Sequence, residues 1–322
     1  MNHDRLAAEL IRALRGRRSQ GALNRRLGHS SNVAHTWERG TRSPRASDFF
    51  RLARLARVDL ARVLSGFSEG CSAFAQGFTC DAKGTARLLA ALAQGRSQVE
   101  IARALNRSRN TVARWLDAST EPRLPDLLRW VEATTQRLFD FVAAFADPKS
   151  LPSLAAAYGD LERQRRLAYE LPWAHAVLRA LELDAYTRLP THVSGFIAAR
   201  VGIEPELEDE CLRALAAAGQ IRSKRGKWQV SRVLAVDTRE DPEGNMRLKR
   251  HWARVALSRI EQRALPVGCQ YSYNLFAISD EGLEQIRQAH LQYFEKLRSI
   301  VAECRNPTRV ALANLQLLPL DV

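Results

Sequence analysis

The chain has 322 residues, with 49 Lys or Arg against 35 Asp or Glu, a formal net charge of +14. At roughly 100–200 residues per domain this length allows two or three domains, and the 46% hydrophobic content excludes wholesale disorder. No stretch approaches the roughly 18–20 uncharged apolar residues of a membrane helix, so the excess of cations points to a soluble polyanion, nucleic acid first.

The first 18 residues are dense in Arg and lack an apolar h-region, which argues against a secretory signal. Residues 1–64 carry 14 basic and 5 acidic side chains, a surplus of nine. Residues 65–145 have a surplus of two and residues 146–322 a surplus of three. Only six of the basic residues are Lys. Arg in place of Lys can reflect a GC-rich genome; the concentration of charge in the first fifth of the chain does not follow from that.

Shifted by 78 residues, the chain repeats itself without a gap: residues 10–54 align with 88–132. Identities include Ser19/Ser97, Gln20/Gln98, Leu27/Leu105, Asn32/Asn110, Trp37/Trp115, Pro44/Pro122, Arg45/Arg123, Asp48/Asp126 and Arg51/Arg129. Matched Trp, Pro, Asn and Gln are hard to obtain from composition alone, so the spacing predicts a tandem duplication of one helical unit. In each copy an apolar helix (about 5–16; 85–94) precedes a Ser cap, Ser19 or Ser97, the latter with Glu100 in a capping box. A short helix follows, with Leu23 and Leu27, or Ile101 and Leu105, on one face. A turn at Gly28 or Asn106 leads to a second cap, Ser30 or Ser108. The next helix turns Ala34 and Trp37, or Val112 and Trp115, inward. Two short helices joined by a tight turn make a helix-turn-helix.

Residues 18–60, with Arg18-Ser19-Gln20, Leu27-Gly28, Ser30, Trp37-Glu38-Arg39-Gly40 and Pro44, resemble the lambda-repressor-like (XRE) helix-turn-helix family. The second copy is a weaker match, with Leu116-Asp117-Ala118 where the first has Glu38-Arg39-Gly40. The resemblance implies that Gln20 reaches a phosphate or steadies a base contact. It implies that Ser31, Asn32, His35 and Thr36 face the major groove, Asn32 able to pair with adenine. Arg39, Arg42 and Arg45 are then placed for backbone contacts. Gln98, Arg109, Asn110 and Arg114 occupy the equivalent places in the second copy, with Arg109 and Arg114 able to read guanine. Trp37 and Trp115 are expected in the core. Arg25, Arg26, Arg51 and Arg54 are expected as plain surface charge.

Pro148, Pro152, Pro172 and Pro190 punctuate a helical connector over 146–190. Residues 191–232 read as a winged helix: an apolar helix with Val193, Phe196, Ile197 and Val201, a second helix opened by Pro205 and closed by Gly219, and a hairpin around Lys224-Arg225-Gly226-Lys227. Five acids lead the second helix, from Glu204 to Glu210. They suit its positive end and would repel phosphate, which favours a protein contact over a third DNA reader. Residues 247–263 suggest a basic amphipathic helix with Trp252, Val255, Ala256 and Ile260 inward. A strand over 271–278 follows, then a helix capped by Ser279. Its stripe of Leu283, Ile286, His290, Tyr293, Phe294, Leu297, Ile300 and Cys304 suits a buried face or a dimer seam. A last strand is expected over 310–318, which would complete a small α+β unit over 233–322. His251, the 271–279 segment and the terminal 314–320 run also resemble a bacterial family of uncharacterised regulators that carry a winged helix. That resemblance covers about 160–322 and implies a transcription-regulator context without a known ligand. The usual member has one N-terminal helix-turn-helix at most, so the tandem pair departs from it.

The expected fold is therefore mainly α: two tandem five-helix-type helix-turn-helix domains (1–64 and a degenerate 65–145), the connector, the winged helix and the α+β unit. No Walker loop, Gly-x-Gly-x-x-Gly, His-Glu-x-x-His or Gly-x-Ser-x-Gly occurs, and the seven His show no ligand spacing. No enzyme, cofactor or metal site is expected. Asp237, Glu240, Asp241 and Glu243 around Pro242 read as a solvated turn. Five scattered cysteines, none in Cys-x-x-Cys, fit a reducing cytoplasm. Cys269 and Cys304 read as buried, inert thiols, with redox sensing the alternative. The function expected is a cytoplasmic, nucleoid-associated regulator of transcription that binds double-stranded DNA. It would be a repressor, dimeric through its C-terminal half, on an inverted-repeat operator, with an unknown effector or protein partner at that half and no membrane contact. The alternative is a protein-interaction module, antitoxin-like or an assembly factor, whose helix-turn-helices bind protein.

Overall fold

Ser19 and Ser97 open helices of equal length, and that equivalence runs through the whole first half of the chain. The structure is a computed structural model that describes all residues except 94, 232–240, 263–267 and 321–322. The first copy comprises α1 (His3–Arg15), α2 (Gln20–Leu27), α3 (Val33–Glu38), α4 (Ala46–Leu55) and α5 (Leu60–Phe67). A connecting helix, α6 (Glu69–Ala75), leads to the second copy: α7 (Ala82–Ala93), α8 (Gln98–Leu105), α9 (Arg109–Leu116), α10 (Leu124–Thr135) and α11 (Leu138–Ala143). Each helix of the second copy begins near 78 residues after its counterpart. The described chain is mainly α, with one two-stranded sheet.

The local signals explain the boundaries. Ser19 Oγ accepts the amide of Ala22 at 3.2 Å. Ser97 and Glu100 form the reciprocal capping box. Gly28 and Asn106 close α2 and α8 in the left-handed region, at φ 77° and 52°. The second cap differs between the copies. Ser108 caps α9 by accepting from Thr111 N at 3.1 Å. Ser30 does not cap α3, which begins two residues later in register than α9, after Asn32. The cause is Asn24. Its buried side chain donates Nδ2–H to Asn32 Oδ1 at 2.9 Å and accepts Ala34 N–H at 2.9 Å. The equivalent residue in the second copy is Ala102, which offers neither bond.

Equivalent side chains are buried in both copies: Leu23 and Ile101, Ala34 and Val112, Trp37 and Trp115, Phe49 and Leu127, Phe67 and Phe145. They belong to one continuous apolar cluster that runs from Leu6 to Leu154. Phe49 of the first copy meets Phe145 of the second with ring centroids 4.8 Å apart. Fully burying such a ring contributes roughly 1.5–3 kcal/mol, so each copy depends on the other for part of its stability.

The chain divides into two compact units, Met1–Glu162 and Arg163–Val322. After a short 3-10 turn at Pro148–Ser150, α12 (Ala155–Glu170) carries the boundary. The second unit continues with α13 (Trp173–Ala180), α14 (Asp184–Thr187), α15 (Ala198–Val201), α16 (Pro205–Ala217), β1 (Ile221–Lys224), β2 (Lys227–Val230), α17 (Pro242–Ile260) and α18 (Asp280–Glu303). The strands pair antiparallel from Ile221↔Val230 to Lys224↔Lys227. Arg225 and Gly226 turn between them at φ 54° and 72°, the two positive values that a type I′ hairpin turn requires. The helix expected from Val193 is shorter than its apolar pattern suggests. Gly195 takes φ 79°, and only Ala198–Val201 is regular helix. Of the five acids at the head of α16, Glu208 is fully buried, and its Oε2 accepts Ala198 N–H at 2.6 Å.

The C-terminal stretch differs most from expectation. Ser279 caps α18 by accepting from Gly282 N, as its sequence suggests. Neither 271–278 nor 310–318 forms a strand among the described residues. In the first of these segments Tyr273 is 97% exposed and Leu275 77%. The stripe on α18 is half-buried at Leu283, Ile286, His290, Phe294 and Leu297 and exposed at Tyr293, Ile300 and Cys304. In α17, Trp252 packs edge-on against Trp173 at 5.2 Å, while Ile260 is exposed rather than inward. Asp241 caps α17 through Gly244 N at 2.9 Å, which gives that turn a structural role. Asp237 and Glu240 of the same acidic group lie outside the described residues, as do residue 232, the expected end of the winged helix, and residue 263, the expected end of the basic helix.

Candidate nucleic-acid interface

The side chains expected to read or grip DNA fall into two groups, those already engaged within the fold and those left free. Gln20 is engaged. Its Nε2 donates to Glu38 Oε2 at 2.9 Å. Buried Glu38 also accepts bonds from Arg15, and its backbone carbonyl accepts Arg12 Nη2–H at 3.1 Å. Burial alone would raise the Glu38 pKa. The bonds from Arg15 and Gln20, with the charges of Arg15 and Arg12, outweigh it and hold the carboxyl below its usual range. The Glu of the Trp-Glu-Arg-Gly exit thus ties α1, α2 and α3 together.

Asn32 is engaged too. Its Oδ1 caps α3 through His35 N at 3.4 Å and accepts from Asn24. Bidentate pairing with adenine would require that same oxygen. Thr36 is half-buried, and its Oγ1 donates to Val33 O at 2.8 Å. Ser31, His35, Arg39 and Arg42 are exposed and make no side-chain hydrogen bond within the described chain. Arg45 is exposed at its side chain, but its backbone has a structural role described below.

The second copy leaves more of its set free. Leu116 stands where the first copy has Glu38, so Gln98 has no carboxylate to hold it. Arg109, Asn110 and Arg114 are exposed on α9 and unengaged among the described residues. Asn110 sits inside the helix rather than at its cap, because Ser108 caps α9. The degenerate copy therefore presents the more open reading face.

The two copies meet through residues that the alignment had already paired. Arg45 and Arg123 form an antiparallel bridge. Ala46 N donates to Pro122 O at 3.0 Å, and Leu124 N donates to Pro44 O at 2.9 Å. Ser47 donates from its N–H and its hydroxyl to the Glu121 carboxylate. Beside this seam lies a cleft of about 900 Å³. The matched pairs Arg45/Arg123, Arg51/Arg129, His29/Arg107 and Asp48/Asp126 all line it, together with Thr36 and Arg42. Arg107 pairs with Asp126 at 2.7 Å, and His29 stands 4.0 Å from Asp48 at the equivalent place. Arg51, Arg107, Arg123 and Arg129 were not expected at a functional surface. For Arg51, Arg123 and Arg129 the signal in the sequence was recurrence in the repeat, but nothing there showed that the copies face each other; Arg107, matched to His29, carried no such signal.

The cysteines correct one expectation. Cys269 and Cys304 are exposed. The buried thiols are Cys71 and Cys211, pushed up by burial to about 11 and about 12. Among the described residues no three His, Cys, Asp or Glu side chains gather as metal ligands. No helix among them is long and apolar enough to cross a membrane.

Comparison with known families finds two matches. Residues 86–128 match the model of a homeodomain-like domain, which covers α7 to the first part of α10 and identifies a helix-turn-helix domain of the DNA-binding kind. That match supports a helix-turn-helix regulator in general and does not single out the lambda-repressor-like type. No curated protein and no solved structure matches the chain. Residues 156–320, just over half of the chain, match a domain of unknown function, DUF4423, and the chain belongs to that family.

Proposed function

We propose that the protein is a sequence-specific regulator of transcription that binds double-stranded DNA through both helix-turn-helix copies, the first of the lambda-repressor-like type. It acts in the cytoplasm, in association with the nucleoid, as a repressor and as a homodimer on an inverted-repeat operator. The observation that carries this reading is the free, exposed set Arg109, Asn110 and Arg114 on the second helix of the unit that the homeodomain-like model matches. Those residue types at the head of a reading helix are the ones that pair with guanine and adenine edges. His35, Arg39 and Arg42 supply a second exposed set, and Gln20, Ser31, Asn32, Thr36, Arg45 and Gln98 complete the surface that we assign to DNA. The surplus of nine cations in residues 1–64 supplies sequence-independent affinity.

The C-terminal half is assigned to dimerisation. Tyr273, Leu275, Val301 and Leu318 are 66% exposed or more in the single chain, which a second copy would relieve. The same exposed surface favours a second reading, an interaction module that engages an unrelated protein.

Retention of a DNA fragment from the protein's own locus, measured across a salt series, tests the reading. Affinity should fall steeply with salt, with a log–log slope of about 0.9 per phosphate contact. Arg39→Ala with Arg42→Ala, and separately Arg109→Ala with Arg114→Ala, should each weaken binding at unchanged far-UV circular dichroism. Absence of specific retention at low salt refutes the DNA-reading function. Light scattering of the intact chain tests the dimer.

A further inference from the structure

The bonds between the two helix-turn-helix copies are reciprocal. The amide of Ala46 reaches Pro122 O, and the amide of Leu124 reaches Pro44 O. Adding 78 turns the first donor into the second and carries the second acceptor to the first. Arg45 and Arg123, the two residues of the antiparallel bridge, exchange in the same way. Two equivalent bodies joined by an antiparallel bridge between equivalent residues are related by a two-fold axis through that bridge, because an antiparallel pair is itself two-fold symmetric. A tandem repeat laid out head to tail would make a different contact: one surface of the first copy against an unlike surface of the second.

The side chains obey the same axis. Arg51 and Arg129, His29 and Arg107, and Asp48 and Asp126 reach one cleft from its two sides. Arg107 pairs with Asp126 on one side of it, and His29 stands 4.0 Å from Asp48 at the equivalent place on the other. The cleft is bordered by α3 and its exit loop in the first copy and, in the second, by Arg107 before α9 and by the start of α10, and six arginines against three aspartates make it cationic.

We infer that the single chain is an internal pseudo-dimer of helix-turn-helices, and that one chain therefore recognises an inverted pair of unlike DNA arms. This inference rests on the DNA-reading function proposed above. Its physical reason is symmetry: two reading helices related by a two-fold axis meet antiparallel strands of one duplex in the same way only if the sequence is inverted about that axis. The arms differ because the helices differ. The first copy offers Ser31, His35 and Arg39, and the second offers Arg109, Asn110 and Arg114. A homodimer of the whole chain adds a second, outer symmetry, in which identical halves are repeated.

Selection of bound DNA from a random duplex pool, with the full chain, tests this. The expected consensus holds two dissimilar arms, in inverted orientation, within the footprint of one chain. Arg109→Ala with Arg114→Ala should erase base preference in one arm only, and His35→Ala with Arg39→Ala in the other only. Native mass spectrometry at saturating fragment should then show one chain per inverted pair. Arms in the same orientation, a single arm, two chains per pair, or variants that erase both arms alike would each overturn the pseudo-dimer while leaving DNA reading intact. A pool with no enriched sequence would overturn the DNA-reading function itself, and the inference with it.

Discussion

Asn24→Ala is expected to destabilise the first unit by about 2–4 kcal/mol, although residue 24 is a single polar side chain with no place on the reading face. The magnitude follows from its two bonds. Ala34 N–H is buried and pairs with Asn24 Oδ1 at 2.9 Å. Removing a buried partner leaves that donor unsatisfied, which costs about 1–3 kcal/mol. The second bond, Nδ2–H to Asn32 Oδ1 at 2.9 Å, is partly exposed and adds about 0.5–1.5 kcal/mol. Urea denaturation followed by tryptophan fluorescence measures the change, since Trp37 and Trp115 both lie in the shared core. A paired comparison sharpens it. Ser108→Ala should cost about 1 kcal/mol, because Ser108 caps α9. Ser30→Ala should cost less than about 0.5 kcal/mol, because Asn32 holds that position in the first copy. A loss below about 0.5 kcal/mol for Asn24→Ala, or equal effects at Ser30 and Ser108, would refute the account of why the two copies start their reading helices differently.

Three further outcomes are expected. Glu121→Ala should lower stability by about 1.5–3 kcal/mol, since a charged acceptor for both the N–H and the hydroxyl of Ser47 is lost across the seam between copies; an unchanged urea midpoint would contradict that role. Because Glu38 is held below its usual pKa, the stability it contributes is present above the ordinary carboxylate range and is lost as pH falls through its lowered folded value. Glu38→Gln should therefore flatten the acid limb of the stability–pH curve, and an acid limb identical to that of the parent would refute the assignment. Iodoacetamide at neutral pH should label Cys269 and Cys304 and spare Cys71 and Cys211, whose thiols are buried and pushed up to about 11 and about 12; rapid labelling of all of them would refute that burial.

The shared core also decides how the first copy can be probed. Its +9 surplus invites removal of residues 1–64 as a test of electrostatic affinity. Phe49 and Phe50 leave with that segment, and they pack against Phe141 and Phe145 of the second copy. Point substitutions of exposed arginines avoid that loss.

The sequence by itself determined the local units. Caps at Ser19, Ser97 and Ser108, left-handed closures at Gly28 and Asn106, and inward pairs such as Ala34 with Trp37 are short-range choices, and each residue carries its own reason. The hairpin at Arg225-Gly226 was legible on the same grounds. Tertiary structure decided the rest. Ser30 and Ser108 occupy matched positions, yet only Ser108 caps, because a buried Asn from the preceding helix takes over in one copy and an Ala cannot in the other. Gln20 and Asn32 have the residue types of DNA contacts and are held by Glu38 and Asn24, while Gln98 and Asn110 remain free. The repeat at a shift of 78 showed that two copies exist; that they face each other about a two-fold axis depends on hydrogen bonds between Ala46 and Pro122 and between Leu124 and Pro44, which no local pattern encodes.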